Sequence, residues 1–136
     1  MTEPFRTRRR VEFADTDMAG IAHFANFFRW MESAEVDFLA SRGLSVALPC
    51  GGHQVGFPRV SASCDYFRPV TFPDVVEIDV RVERVGARSV TYAFDFRKDG
   101  EVVARGRVTA VYCQAIPGGG LESIDIPEAI RAKLQQ

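Results

Sequence analysis

The chain reads as an α+β domain in which one antiparallel sheet of about five strands wraps around one long helix. Three observations point there. An aromatic-rich segment with helical periodicity lies early, at about residues 24–42. From residue 60 onward, segments alternate apolar and polar residues between short turns, which is strand patterning with hairpin connections. A length of 136 residues suits one domain spanning 1–136, so the helix has only that sheet to bury against.

In order, residues 9–13 (Arg-Arg-Val-Glu-Phe) alternate weakly and predict a first strand. Asp15 to Gly20 breaks the pattern with short polar residues and a glycine, a loop. Phe24, Phe27, Phe28, Met31, Ala34, Glu35, Phe38 and Leu39 then recur at three and four spacing, and Gly43 after Arg42 is a natural helix stop. Four Phe and one Trp on that helix are more aromatic surface than a solvent-facing helix needs. Residues 44–58, with Pro49, Gly51, Gly52, Gly56 and Pro58, read as a long irregular connection, and such loops are often functional.

The second half is strand after strand. Val60–Phe67 alternates, and the chain turns from Arg68-Pro69 to Pro73-Asp74. Val75–Val85 alternates apolar and charged residues almost perfectly, as a half-buried strand does. Gly86-Ala87 turns the chain, Ser89–Phe96 alternates again, and Lys98-Asp99-Gly100 is a hairpin signal. Val102–Ala115 predicts a last long strand, Gly118-Gly119-Gly120 a flexible break, and Ile126-Pro127-Glu128 the start of a short terminal helix.

Composition narrows the function classes. Hydrophobic residues are 46% and charged residues 26%, close to an ordinary soluble domain. A net charge of -1 gives no electrostatic reason to expect nucleic acid as a partner. The run Arg6, Arg8, Arg9 and Arg10 is local and mixed with Glu3 and Glu12, and reads as a solvated terminal stretch or a contact for a phosphate-bearing ligand. Cys50, Cys64 and Cys113 show no CxxC spacing, and His23 and His53 alone do not make a metal site, so no metal and no disulfide framework is expected. No apolar run approaches the roughly 20 residues of a membrane span, and the start of the chain has no apolar signal-peptide core. The expectation is a cytoplasmic, reduced domain without a cofactor or membrane partner.

Residues 10–28 read Arg-Val-Glu-Phe-Ala-Asp-Thr-Asp-Met-Ala-Gly-Ile-Ala-His-Phe-Ala-Asn-Phe-Phe. This resembles the signature of the 4-hydroxybenzoyl-CoA thioesterase family of hotdog proteins: a strand, Asp-x-Asp, two residues, Gly, then an aromatic-rich entry into the long helix with x-Asn-aromatic. Asp15-Thr16-Asp17, Gly20 and Asn26 carry the specific part, and Arg68-Pro69 before Asp74 and Arg88-Ser89 also match. The resemblance covers nearly the whole chain. It implies a hotdog fold, a homodimer with two active sites at the subunit interface, often paired into a homotetramer, and hydrolysis of an acyl-CoA. It further implies that Asp17 is the catalytic carboxylate and that the backbone N–H of Phe24 polarises the thioester carbonyl.

The chemistry fits those residue types. Thioester hydrolysis needs a donor at the carbonyl oxygen and a carboxylate that attacks the carbonyl carbon or activates water. A helix start supplies free N–H groups and a positive dipole end. Gly20 is expected to let the backbone approach closely with no Cβ in the way. Asp17 could equally be a loop cap or an Asx turn. Asp15 is expected to hold the loop by hydrogen bonds, and Asn26 to bond loop backbone and shape the site. His23 reads as a structural hydrogen-bonder or a substrate contact. A neighbouring branch of the family has a helper histidine and tyrosine where this chain has Phe24 and Phe13, so that branch's mechanism does not carry over. Glu32 and Glu35 lie on the aromatic helix, and Glu35 falls in the apolar stripe, in a structural or interface role.

By the same resemblance, Arg88 and Ser89 lie at the nucleotide side and would bind CoA, with Arg59 or Arg68 assisting. Phe57-Pro58-Arg59 matches a segment that lines the acyl pocket, and Phe57, Phe27 and Phe28 would suit an aromatic or medium-length acyl group, plausible for an aryl-CoA. Rival readings are a thioesterase acting on an acyl-carrier-protein thioester, a non-catalytic acyl-binding module of the same fold, and a hydratase or dehydratase. The last needs a paired Asp and His that the chain does not show.

Overall fold

The computed structural model describes residues 3–50 and 53–136. In chain order the elements are β1 (Phe5–Arg10), a turn of 3-10 helix (Phe13–Asp15), α1 (Asn26–Ser41), β2 (Ala47–Cys50), β3 (His53–Gly56), β4 (Arg59–Tyr66), β5 (Val75–Val85), β6 (Ser89–Lys98), β7 (Glu101–Val111), β8 (Cys113–Ala115), β9 (Leu121–Ser123) and α2 (Glu128–Leu134). Five strands form an antiparallel sheet in the order β1-β5-β6-β7-β4. A smaller sheet has the order β2-β3-β8-β9.

Alternation decides which way each strand faces. Val76, Ile78 and Val80 on β5, Val90, Tyr92, Phe94 and Phe96 on β6, and Ala104, Val108 and Ala110 on β7 all lie in the core. They meet Phe27, Trp30, Met31, Ala34, Phe38 and Leu39 from α1. Gly106 on β7 lets the helix approach: a Cβ there would stand 2.2 Å from Met31 Sδ. The opposite face of the sheet is ionic. Arg6, Asp79, Asp95 and Arg105 oppose one another across four strands. Arg6 Nε bonds Asp79 at 2.7 Å, Arg97 bonds it at 3.1 Å, and Arg105 bonds Asp95 at 3.2 Å.

Three elements differ from the sequence expectation. The first strand runs Phe5–Arg10 and not 9–13, because Glu12 and Asp15 close a turn that ends the pairing: Glu12 N–H bonds Asp15 Oδ2 at 2.8 Å and Asp15 N–H bonds the Glu12 carbonyl at 2.9 Å. The connection expected to be irregular carries the hairpin β2–β3; Gly51 and Gly52 lie outside the described residues. The expected strand 102–115 divides at Tyr112, whose N–H turns to the Arg88 carbonyl at 2.7 Å and whose carbonyl takes Ile124 N–H, moving the chain from one sheet to the other. Gly43, at φ +71°, ends α1 as expected, with Leu44 N–H on the Leu39 carbonyl at 2.7 Å.

Candidate active site

The segment between the 3-10 turn and α1 is held from inside by Asp15. It is buried, and its carbonyl takes the N–H of His23 at 2.8 Å and Nδ2 of Asn26 at 2.7 Å. Asn26 therefore ties the first residue of α1 to the Asp-x-Asp loop. Thr16 and Ala22 pair as an isolated antiparallel bridge. Inside that bridge Asp17 N–H bonds the Ile21 carbonyl at 3.0 Å and Gly20 N–H bonds the Asp17 carbonyl at 2.9 Å. The turn puts Gly20 at φ +80°, a conformation that favours glycine. The expected close approach is not the reason for this glycine: within the chain nothing lies within 4 Å of where a Cβ would be.

Asp17 projects from this turn and is exposed in the single chain. Its Oδ1 accepts the Ala19 N–H at 2.9 Å, an Asx turn that orients the carboxylate, and Oδ2 has no partner among the described residues.

The helix start across the loop can be accounted donor by donor. His23 N–H goes to Asp15, Ala25 N–H to His23 Nδ1 at 3.3 Å, Asn26 N–H to the His23 carbonyl, Phe27 N–H to the Phe24 carbonyl, and Phe28 N–H to the Ala25 carbonyl. The N–H of Phe24 alone in this run has no acceptor among the described residues. His23 thus acts on the neighbouring donor, and its ring stacks on Phe24 at 4.7 Å.

Beside Phe24 lies a cavity of about 360 Å³ walled by Ile21, Phe24, Phe27, Tyr66, Pro69 and Val70. Tyr66, not among the residues expected at the site, donates its hydroxyl to the Phe24 carbonyl at 3.1 Å and meets the Phe27 ring edge-on at 5.1 Å. Its place in an alternating strand carries no sign of that bond.

The other expected residues lie apart. Arg88 is exposed, with Nε on Asp125 at 2.8 Å, and Ser89 closes the β5–β6 turn through its carbonyl to Gly86 N–H. Arg68 pairs with Glu101 at 3.0 Å. Phe57 is buried against Tyr112, with rings 5.2 Å apart, and Arg59 Nη2 bonds the buried Glu35 at 2.5 Å. Phe57, Pro58 and Arg59 sit at the opposite end of β4 from Tyr66, seven steps of about 3.3 Å away. A single chain therefore does not bring them to Asp17.

A family model described as the thioesterase-like superfamily matches residues 11–134. The chain belongs to that superfamily. Its fold is the hotdog fold of those thioesterases, the helix wrapped by the five-stranded sheet. A 1,4-dihydroxy-2-naphthoyl-CoA hydrolase of Prochlorococcus marinus is 33% identical over 104 residues, covering 71% of this chain and 69% of the relative. Another protein of that name, from Parasynechococcus marenigrum, is 31% identical over 140 residues, covering 96% and 90%. The solved structure of a gentisyl-coenzyme A thioesterase superposes with a TM-score of 0.81 at 29% identity, covering 96% of this chain and 99% of that one. A 4-hydroxybenzoyl CoA thioesterase superposes with a TM-score of 0.83 at 20% identity, covering 98% and 99%, and shares the fold.

Proposed function

We propose that the protein is an acyl-CoA thioesterase, hydrolysing a CoA thioester to the free acid and CoA, with Asp17 and the Phe24 N–H as its reacting groups. The observation that carries this is the unspent Phe24 N–H at the start of a buried helix, in a run where its neighbours' N–H groups are bonded. A thioester oxygen placed on it meets both a donor and the positive end of the helix dipole. The open oxygen of Asp17 then attacks the carbonyl carbon or takes a proton from the attacking water. The thiolate of CoA leaves, and water supplies the oxygen of the acid. The kind of relatives the chain matches supports a CoA ester as substrate. Arg88 and Ser89 are the CoA contacts, Arg88 exchanging Asp125 for a phosphate.

The working unit is a homodimer. β4 is a sheet edge, all its residues but Cys64 are exposed, and its centre is the small neutral run Ser61-Ala62-Ser63. An uncapped edge of this kind pairs readily with another strand, and a second copy continues the sheet with two-fold symmetry.

Asp17→Asn is expected to abolish thiol release while a CoA ester still binds by calorimetry. Undiminished release by that variant overturns the assignment.

A further inference from the structure

The turn between β5 and β6 spends its backbone unevenly. Every carbonyl from Val85 to Ser89 accepts a bond, largely from the segment that carries α2. Arg131 on α2 donates Nη2 to the Gly86 carbonyl at 2.9 Å and to the Ala87 carbonyl at 3.4 Å, and Nη1 to the Val85 carbonyl at 3.5 Å. Ile126 N–H bonds the Ala87 carbonyl at 2.9 Å, Tyr112 N–H the Arg88 carbonyl at 2.7 Å, and Gly86 N–H the Ser89 carbonyl at 2.8 Å. The N–H groups of Ala87 and Arg88 have no acceptor among the described residues.

The spent carbonyls and the open N–H groups have one cause. A trans peptide unit is planar, with its C=O and N–H on opposite sides. The Gly86 carbonyl shares a unit with the Ala87 N–H, and the Ala87 carbonyl shares one with the Arg88 N–H. Holding both carbonyls on the Arg131 guanidinium therefore turns both N–H groups away from it. Successive open N–H groups on a turn suit an anion. The exposed guanidinium of Arg88 stands on the same turn, against Asp125 at 2.8 Å.

Stability alone does not call for Arg131. Carbonyls on an exposed turn can bond water instead, and an ordered arginine gives up side-chain entropy. What a planar guanidinium adds over water is a fixed direction for several acceptors at once. The rest of the segment is built to deliver it: Ile126 and Leu134 are buried, and the Arg131 side chain is 23% exposed. Its ion-pair contact to the exposed Glu128 is long, at 3.9 Å, so the guanidinium is committed to the turn.

We infer that Arg131 is a positioning residue for CoA: from the terminal helix it sets the β5–β6 turn so that the Ala87 and Arg88 N–H groups, with the Arg88 guanidinium, present donors to a phosphate of CoA. This rests on the reading of the protein as an acyl-CoA thioesterase with Arg88 as a CoA contact. Arg131 touches no part of the substrate and acts through two peptide units. Coupling of this kind is reciprocal: a docked α2 favours CoA, and bound CoA favours a docked α2.

The test uses the full chain and CoA itself, with binding read by calorimetry, so no acyl group has to be chosen and no turnover is needed. Arg131→Met keeps the apolar stem and removes the donors. It is expected to weaken CoA binding by about tenfold, the worth of about one hydrogen bond to a charged group. Arg131→Lys keeps a charged donor and should lose less. In an Arg88→Ala background the Arg131→Met change is expected to cost less than in wild type, because both act on one phosphate contact, whereas a general loosening of the fold costs the same in both. On wild type alone, hydrogen exchange over residues 121–136 is expected to slow when CoA is added and not when pantetheine is added, a measurement that stands even where Arg131→Met fails to fold. Unchanged CoA affinity in Arg131→Met, an equal cost with and without Arg88, or exchange indifferent to CoA overturns the assignment. Wild type that does not bind CoA overturns it as well, and the Asp17→Asn result judges the hydrolase reading separately.

Discussion

The close approach of helix to sheet at Gly106 offers a quantitative test of the core. In Gly106→Ala the new Cβ would lie 2.2 Å from Met31 Sδ and 2.9 Å from its Cε, with the Ser63 carbonyl oxygen at 3.3 Å on another side. Ordinary carbon contacts are about 3.5–4.0 Å, so the helix or the methionine must give by more than an ångström. Met31 is fully buried and cannot swing into solvent. Overpacking of this kind costs about 1–3 kcal/mol. Replacing glycine by alanine returns about 0.4–1 kcal/mol through the unfolded chain, and the backbone of Gly106 is not among the positive-φ glycines. The net expectation is a loss of about 1–2 kcal/mol, a Tm lowered by roughly 3–8 °C for a chain of this size. Urea unfolding of Gly106→Ala, Met31→Ala and the double variant measures it. In the Met31→Ala background the same alanine fills vacated space and should be neutral or stabilising. A Gly106→Ala protein as stable as wild type, or the same cost in both backgrounds, refutes the reasoning.

Further outcomes follow from the site and the ionic face. Asn26→Ala removes the tie from α1 to the Asp15 carbonyl; it should lower kcat with a smaller change in KM, and cost about 1 kcal/mol in denaturant unfolding. Arg88→Ala should raise KM for a CoA ester with kcat retained, and should leave KM unchanged for the matching pantetheine ester without the nucleotide, as steady-state kinetics on the two substrates would show. Asp79 is held below its ordinary pKa, first by the Arg6 hydrogen bond. Its folded-state pKa is thus lower than the unfolded value of about 3.9, so its contribution is full above the unfolded value and fades as pH falls through the folded one. Tm measured from pH 7 down to pH 2 should fall less steeply in Asp79→Asn than in wild type.

Much of the fold was legible because alternation and helical spacing report burial directly. Residues 75–85 became a strand with the expected bounds, and the aromatic stripe became the face of α1 turned to the sheet. The hairpin inside residues 44–58 was not legible, since its outer partner β8 comes from about sixty positions away and no local pattern encodes that pairing. Asp15, Asp17, Gly20, His23 and Asn26 were identifiable as one loop because they are close in sequence, and hydrogen bonds tie Asp15 to His23 and Asn26. Tyr66 was not, because its hydroxyl bond to Phe24 spans 42 positions.

The sequence alone determined the long helix, the strands of the main sheet after it and the face each turns inward, and the residue types in the loop before the helix, all of which depend on spacing within a few turns. Only the tertiary structure decided that the Phe24 N–H is the donor left open, that Gly20 answers to a backbone angle, and that Glu35 reaches across 24 positions to brace Arg59. Hydrogen bonds are spent or saved by packing between distant segments, and a linear pattern of side chains carries no record of which partner each group finds.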